Sequence, residues 1–506
     1  MTDGTEPKLV KETLDKDLAK FGRAEAAVNA TARSVVAPGL GFLFLAAIVV
    51  IGGTLLSGQD NWILITAAAA IGGYMALNIG ANDVANNVGP AVGSKALTII
   101  GALIIAAVCE SAGALLAGGD VVSTISKGII SADAVPSADT FIWLMMAALI
   151  SSALWVNLAT VLNAPVSTTH SVVGGVMGSG IAAAGFGAVN WPTMGNIVAS
   201  WVISPIMGGV IAAVMLAFIK TVIIYRNDKI AAARRWVPML IALMAGAFGT
   251  YMSLKGLKHL DLFKDVDLPK ALLIGLGVAI VAWLIAHPVI RRQSRHMENR
   301  NQSLRQLFVW PLIFSAALLS FAHGSNDVAN AVGPLAAIVH TVNAGEVASK
   351  VQIPFWVMLI GASGISFGLV LFGPKLIRTV GQSITKLNPM RAYCVALAAA
   401  VTVIVASWLG LPVSSTHIAV GGVFGVGFFR EWYTANSRRR LAYVHGRSPK
   451  HPESRSKGLT NQRNGRKLVR RIHFWQIAAA WIITVPASAA LSAGIFLALE
   501  RLFGVV

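Results

Sequence analysis

The sequence predicts an all-α polytopic membrane protein: an inverted-topology repeat with two broken-helix or re-entrant hairpins, in about 11–13 membrane segments. Three observations predict it. The 506 residues are 55% hydrophobic and only 12% charged, with mean hydropathy +0.68, where a soluble chain carries about 25% charge. Apolar runs long enough to span a bilayer recur throughout. Two polar motifs each occur twice, in the same order.

Taken in order, residues 1–37 balance six basic against six acidic residues and lack the apolar core and cleavage site of a signal peptide, so they read as a soluble tail. Candidate spans follow at 38–57, 62–80, 97–117, 140–162, 194–220, 236–253, 270–290, 306–323, 354–374, 392–410 and 474–498. The Gly-rich runs 163–187 and 411–429 begin near a proline and read as the two hairpins. The chain then divides into the tail 1–37, a first span and first repeat over 38–224, a two-span linker with basic loops over 225–305, a second repeat over 306–429, a basic loop over 430–473 and a last span over 474–506.

Charge sets the orientation. "YRNDKIAAARR" (225–235) has four basic residues and one acid, "RRQSRHMENRNQSLR" (291–305) has five Arg and one Glu, and 430–473 has thirteen Lys/Arg and two Glu. All three are expected in the cytoplasm. The net charge of +19 therefore reflects loop placement rather than a nucleic-acid partner. The segment leading into Asn82–Asp83 then runs outside to inside, and the one leading into Asn326–Asp327 runs inside to outside. Cys109 and Cys394 both sit in apolar runs, which excludes a disulfide framework or a CxxC metal site.

The repeat is explicit. "GANDVANNVGPAVG" (80–93) matches "GSNDVANAVGPLAA" (324–337) at an offset of 244, and "APVSTTHSVVGGVMGSG" (164–180) matches "LPVSSTHIAVGGVFGVG" (411–427) at 247. A weaker pair, "WVISP" (201–205) and "WIITV" (481–485), is offset by 280 because 430–473 is inserted in the second half only. Inverted repeats with interrupted helices characterise secondary transporters, whose site lies near the midplane between repeats. A duplicated scaffold without transport has no need of duplicated polar clusters.

Each motif has its own chemistry. In PVSTTH and PVSSTH a proline stops an incoming helix and hydroxyl residues precede a new one, the layout of a helix N-terminus. Free N–H groups there attract anions, and Ser167, Thr168, Thr169, Ser414, Ser415 and Thr416 add hydroxyl donors. Two such ends make a cradle for a tetrahedral oxyanion; ordinary capping is the alternative. His170 and His417 are expected to cap or to hydrogen-bond between helices, and the following glycines to pack helices closely. A carboxylate at the bilayer centre costs about 2.5–3.5 kcal/mol, so Asp83 and Asp327 need a partner. No Lys or Arg is near in either span, which points to a bound cation. Asn82, Asn86, Asn326 and Asn330 supply amide oxygens, and a helix broken near Gly80 or Gly89–Pro90 would add carbonyls. Oxygen ligands suit a hard cation; hydrogen bonding between helices is the alternative. Glu110, an intramembrane acid with no evident ion pair, is a candidate for coupling or gating.

These motifs resemble those of the inorganic phosphate transporter (PiT) family, on "GANDVANNVGPAVGSKAL", "APVSTTHS", "HGSNDVANAVGPLAA" and "LPVSSTH". The resemblance covers most of 62–220 and 306–498, but neither the tail, the first span nor 225–300. It implies import of inorganic phosphate by cation symport through alternating access, in the cell (inner or plasma) membrane, by a multi-pass protein that is no enzyme, with a homodimer as the family's suggestion. Carried over by position, Ser167, Thr168, Thr169, Ser414, Ser415 and Thr416, with Asn82 and Asn326, would hold phosphate. Asp83, Asn86, Asp327, Asn330 and Glu110 would serve the cation, with Asp83 and Asp327 as metal ligands if that cation is Na⁺. Some members carry a second glutamate where this chain has Ala396, which bears on stoichiometry. No cofactor is expected beyond a co-transported Na⁺ or H⁺: amide-rich clusters suit Na⁺, lone carboxylates such as Glu110 suit H⁺. A sulfate permease and a metal-phosphate/proton symporter are the rival cargoes. A channel would not need paired hairpins, and an enzyme would not place a Ser/Thr-His pair twice at membrane depth.

Overall fold

A computed structural model describes residues 35–162, 164, 166–258, 263, 265–347, 353–383, 387–437 and 471–504. Nearly all of the expected tail, Pro165 and most of the basic loop 430–473 lie outside the described residues. The helices are α1 (Val35–Leu56), α2 (Trp62–Gly93), α3 (Ile99–Ala117), α4 (Gly119–Lys127), α5 (Ala138–Val161), α6 (Thr168–Ala184), α7 (Trp191–Ile219, continued as a π-turn to Ile224), α8 (Lys229–Tyr251), α9 (Leu268–Gln293), α10 (Asn301–Leu307), α11 (Val309–Asp327), α12 (Ala329–Ala344), α13 (Phe355–Ser383), α14 (Pro389–Trp408), α15 (Ser415–Asn436) and α16 (Arg471–Phe503). Among the described residues, ten helices are long and apolar enough to cross a membrane, or up to eleven if the pair α10 and α11–α12, bent by 42°, is one span.

The packing obeys a two-fold exchange of the halves. α2 lies along α13 as α11 lies along α3; α6 packs on α16 as α15 packs on α7; α5 meets α16 as α14 meets α7. Glycines mark these seams. A Cβ on Gly174 or Gly178 would collide with the backbone of Val485 or Ala489, and a Cβ on Gly421 or Gly425 with that of Pro205 or Gly209. These contact pairs are related by the offsets read in the sequence, 247 on one side and 280 on the other. Without a hydrophobic force between helices in lipid, such close backbone approach is what holds them together.

Polarity is arranged inside out. α7 and α9 present Ile203, Val210, Leu273, Leu276 and Val281 outward, as lipid-facing helices do, while the Asn, Asp, Ser, Thr and His residues of both motif pairs are buried.

One expectation is corrected. α2 does not break at Gly80 or at Gly89–Pro90 but runs unbroken from Trp62 to Gly93 with Pro90 inside it. In the second copy the hydrogen-bonding pattern lapses only at Val328, whose backbone (φ −56°, ψ −31°) stays helical. Close packing of Gly80 on Ile365 and of Gly324 on Glu110 supports the straight course. A carbonyl is still released, by another route. Pro90 and Pro334 have no N–H to give the carbonyl four residues back, which in each copy belongs to Asn86 or Asn330.

Candidate functional site

The ends of α6 and α15 meet the middles of α2 and α11. Ser167 and Ser414 are the N-caps: each side chain accepts from the backbone N–H of His170 (3.1 Å) or His417 (3.3 Å). Capping uses an acceptor lone pair of each oxygen and not its O–H donor, while the next hydroxyls donate within the site. Thr168 Oγ1 donates to Asp83 Oδ2 at 3.0 Å, and its repeat mate Ser415 Oγ donates to Asp327 Oδ2 at 3.0 Å.

The two halves then cross. Asn86 Nδ2 donates to Thr416 Oγ1 at 2.7 Å, and Asn330 Nδ2 to Thr169 Oγ1 at 3.1 Å and Thr168 Oγ1 at 3.3 Å. Thr416 Oγ1 in turn donates to Asp83 Oδ1 at 2.9 Å, whereas Thr169 Oγ1 donates to the Val413 carbonyl at 3.0 Å. The site cannot form from one repeat alone.

Asn82 and Asn326 face the hairpin turns. Asn326 Nδ2 reaches Ser407 Oγ (3.0 Å) and the Leu411 carbonyl (3.1 Å), and its Oδ1 accepts from Val413 N–H (3.1 Å). Asn82 lies on Thr160 Oγ1 at 3.0 Å; turned so that Nδ2 faces the Val166 carbonyl (3.3 Å), its amide is satisfied in the same way. These two amides position the hairpins; the Asn326 amide is engaged by backbone and hydroxyl groups, while the turned Asn82 amide also donates to Asp83 Oδ1 at 3.2 Å.

Sequence reasoning assigned no role to His323, and the structure puts it at the centre. Fully buried, its Nε2 lies 2.8 Å from Asp327 Oδ2 and 3.8 Å from Asp83 Oδ2, and its Nδ1 lies 3.2 Å from Glu110 Oε2. The signal was available: His323 precedes Asp327 by one helical turn and so shares its face. Glu110 is thus not isolated, because it also accepts from Asn87 Nδ2 at 2.8 Å. Here the two-fold fails. Gly324 packs on Glu110 and Gly80 packs on Ile365, so the mates of Glu110 and His323 are the buried Ile365 and Ile79. The α3–α11 contact carries an acid–imidazole pair where its mate, the α2–α13 contact, carries two isoleucines. Ala396 is buried in α14 and brings no charge.

Ligand atoms of Asp83, His323 and Asp327 all lie within 4.8 Å of one another, a grouping able to hold a metal ion. Two carboxylates that close repel by about 3 kcal/mol at an effective dielectric constant of 20, so positive charge between them is required when both are ionised. His170 and His417 sit edge to face at 4.6 Å, with Trp201 3.8 Å from His170. His170 makes ring contacts in place of the expected interhelical hydrogen bond.

A cavity of about 470 Å³ opens between α1, α2, α5 and α13, lined among others by Tyr74, Asn78, Asn157, Thr160 and Lys375. Asn157 Nδ2 donates to Asn78 Oδ1 at 3.0 Å, and Thr160 carries the polar chain on to Asn82. The repeat mates of Tyr74, Asn78 and Asn157 are Leu318, Ala322 and Ile404, an apolar set packed with α8.

The family model for the phosphate transporter family matches residues 79–492. A Helicobacter pylori protein named "Putative phosphate permease" is 46% identical, over 90% of this chain and 94% of its own. A Thermococcus kodakarensis protein with the same description is 35% identical, over 87% and 98%. A solved structure described as the sodium-dependent phosphate transporter is 34% identical with a TM-score of 0.74, over 87% of this chain and 99% of that one. With a family model covering most of its length and relatives at this identity along nearly their whole chains, this multi-pass membrane protein belongs to the phosphate transporter family.

Proposed function

We propose that the chain imports inorganic phosphate across the plasma (inner) membrane by symport with Na⁺, and that shared hydroxyl groups make the coupling. The observation that carries this is the double use of the hairpin hydroxyls. Thr168, Ser415 and Thr416 spend their protons on Asp83 and Asp327, and these are the donors an oxyanion between α6 and α15 would need. By helix geometry the N–H groups of Thr168, Thr169, Ser415 and Thr416 lack partners in their own helices and add to the same anion cradle.

A phosphate can claim the hydroxyl protons only if something else satisfies the carboxylates. A cation held by Asp83 and Asp327, with the amide and released backbone oxygens of Asn86 and Asn330, does that. Phosphate without cation leaves two bare carboxylates in a dry site; cation without phosphate leaves the hairpin hydroxyls, displaced from the carboxylates, without an acceptor. Each ligand therefore favours the other, and only the pair favours the occluded state, which is the differential binding that alternating access requires. The oxygens of Asp83, Asp327, Asn86 and Asn330 fit Na⁺, with His323 left to hydrogen-bond the carboxylates, and the description of the solved relative agrees.

One observation favours a second reading. The Glu110–His323 pair is able to carry a proton, which would make H⁺ the coupling ion. Uptake of labelled phosphate into proteoliposomes, with Na⁺ and pH gradients imposed separately and sulfate as competitor, tests both. The proposal expects accumulation driven by the Na⁺ gradient and little competition from sulfate, which has no proton to give to the carboxylate lone pairs that the cation leaves unfilled. Accumulation driven by the pH gradient alone overturns the choice of Na⁺, and equal competition overturns the choice of phosphate.

A further inference from the structure

Away from the transport centre, a cavity of about 1040 Å³ opens between α7, α8 and α9. Its walls are apolar along most of their depth, with Phe218, Met239, Leu243 and Ile280. Arg234, Arg235, His287 and Arg291 gather at one end, the end where α8 begins and α9 finishes. The basic loops on either side, 225–235 and 291–305, place that end at the cytoplasmic surface.

The arginines are held. Arg234 Nε donates to Ser294 Oγ at 2.7 Å and its NH2 to the Ser294 carbonyl at 2.9 Å, which also ties the two helix ends together. Arg235 lies over the Trp236 ring at 5.6 Å, Trp236 meets Phe218 edge to face at 5.1 Å, and Trp283 lies 5.2 Å from His287. Tryptophan beside arginine, above an apolar shaft, is the arrangement of a headgroup-level site: rings sit at the interface, guanidinium groups meet phosphate, and chains lie below.

We propose that this cavity is a binding site for an anionic phospholipid of the cytoplasmic leaflet. Its phosphate meets Arg235 and Arg291, and its acyl chains lie along Met239, Leu243 and Ile280. Charge complementarity selects the occupant. The flanking loops hold nine Lys/Arg against Asp228 and Glu298, and basic pockets between spans on the cytoplasmic side take anionic headgroups. A zwitterionic lipid gains nothing from that excess. Asp228 caps α8 and Glu298 pairs with Arg300, and the two acids together offset only a minority of the flanking cations. The site would brace the α8–α9 hairpin against the transporter body without touching the phosphate centre.

The test uses the whole protein in nanodiscs containing phosphatidylcholine with a small fraction of brominated phosphatidylglycerol or, separately, brominated phosphatidylcholine. Bromine quenches nearby indoles, and the part lost in Trp283→Phe reports the site. The site-specific quenching should favour brominated phosphatidylglycerol. The preference should fall by about thirtyfold in Arg235→Gln/Arg291→Gln, two charges' worth of surface attraction, and survive in Arg235→Lys/Arg291→Lys. Labelled phosphate uptake by each variant confirms that it is folded. Equal quenching by the two lipids overturns the proposal, as does a preference unchanged in the Gln variant. Absence of site-specific quenching by either lipid, as a second protein copy seated on this face would give, also overturns it.

Discussion

Replacing Thr416 by valine removes one oxygen and almost no volume. That oxygen serves two bonds: it accepts from Asn86 at 2.7 Å and donates to Asp83 at 2.9 Å. A neutral hydrogen bond contributes about 0.5–1.5 kcal/mol and one to a charged group about 1.5–3, so the site loses about 2–4 kcal/mol of internal satisfaction. In the coupling scheme the hydroxyl proton moves from Asp83 to phosphate, so it is missed in the loaded state as well, while the unpaired Asn86 amide and Asp83 oxygen raise the unloaded state. If half of the loss falls on the loaded state alone, about 1–2 kcal/mol, the phosphate concentration for half-maximal uptake rises about five- to thirtyfold. The assay is initial-rate uptake of labelled phosphate in proteoliposomes at fixed Na⁺, with reconstituted protein quantified. Thr169→Val, whose hydroxyl donates to a backbone carbonyl rather than to a carboxylate, should shift it less. Half-saturation within twofold of wild type for Thr416→Val, or a larger effect for Thr169→Val, would refute the shared-hydroxyl reasoning.

Further outcomes follow from the same contacts. Asp83→Asn should insert normally and transport nothing; uptake at the wild-type rate removes Asp83 from the site. Glu110→Gln keeps the Asn87 contact but takes a charge from His323, and should lower the maximal rate at least tenfold while leaving detergent-solubilised protein monodisperse, as uptake and size-exclusion profiles will show. Gly425→Val drives a branched side chain into the Gly209 backbone; overpacking costs about 1–3 kcal/mol, which should lower the thermal midpoint in detergent. In a background without Cys109 and Cys394, Asn157→Cys should react with a charged, membrane-impermeant thiol reagent applied from the cytoplasm and be protected by phosphate. Ile404→Cys, its apolar repeat mate, should not react; equal labelling of both would contradict the contrast drawn between the polar cavity and the apolar set packed with α8.

The sequence made the larger part of this legible. Hydropathy located the spans, and loop charge supplied their expected orientation. The offsets of 244, 247 and 280 anticipated which helices exchange places, because a duplicated chain packs its copies by the same rules. Asp83, Asp327 and the hairpin hydroxyls were readable since polar groups in an apolar run need a reason. Other features were hidden for physical reasons. The continuity of α2 through Gly80 depends on Ile365 nearly three hundred residues away. The crossed bonds from Asn86 to Thr416 and from Asn330 to Thr168 and Thr169 are between halves, where local spacing is silent. His323 was overlooked because a search for Lys or Arg as counter-charge passed over an imidazole one turn from Asp327. The failed symmetry at Ile79 and Ile365 needed the packing that aligns α3 with α13.

Calorimetric titration of phosphate into the purified protein at low and high Na⁺, with the reciprocal titration of Na⁺ at low and high phosphate, addresses the shared hydroxyls most directly. Binding linkage must be equal in both directions. The account predicts that each ligand tightens the other by the same factor, tenfold or more, and that Thr416→Val reduces that factor. Phosphate affinity independent of Na⁺, in a protein that still accumulates phosphate, would contradict it.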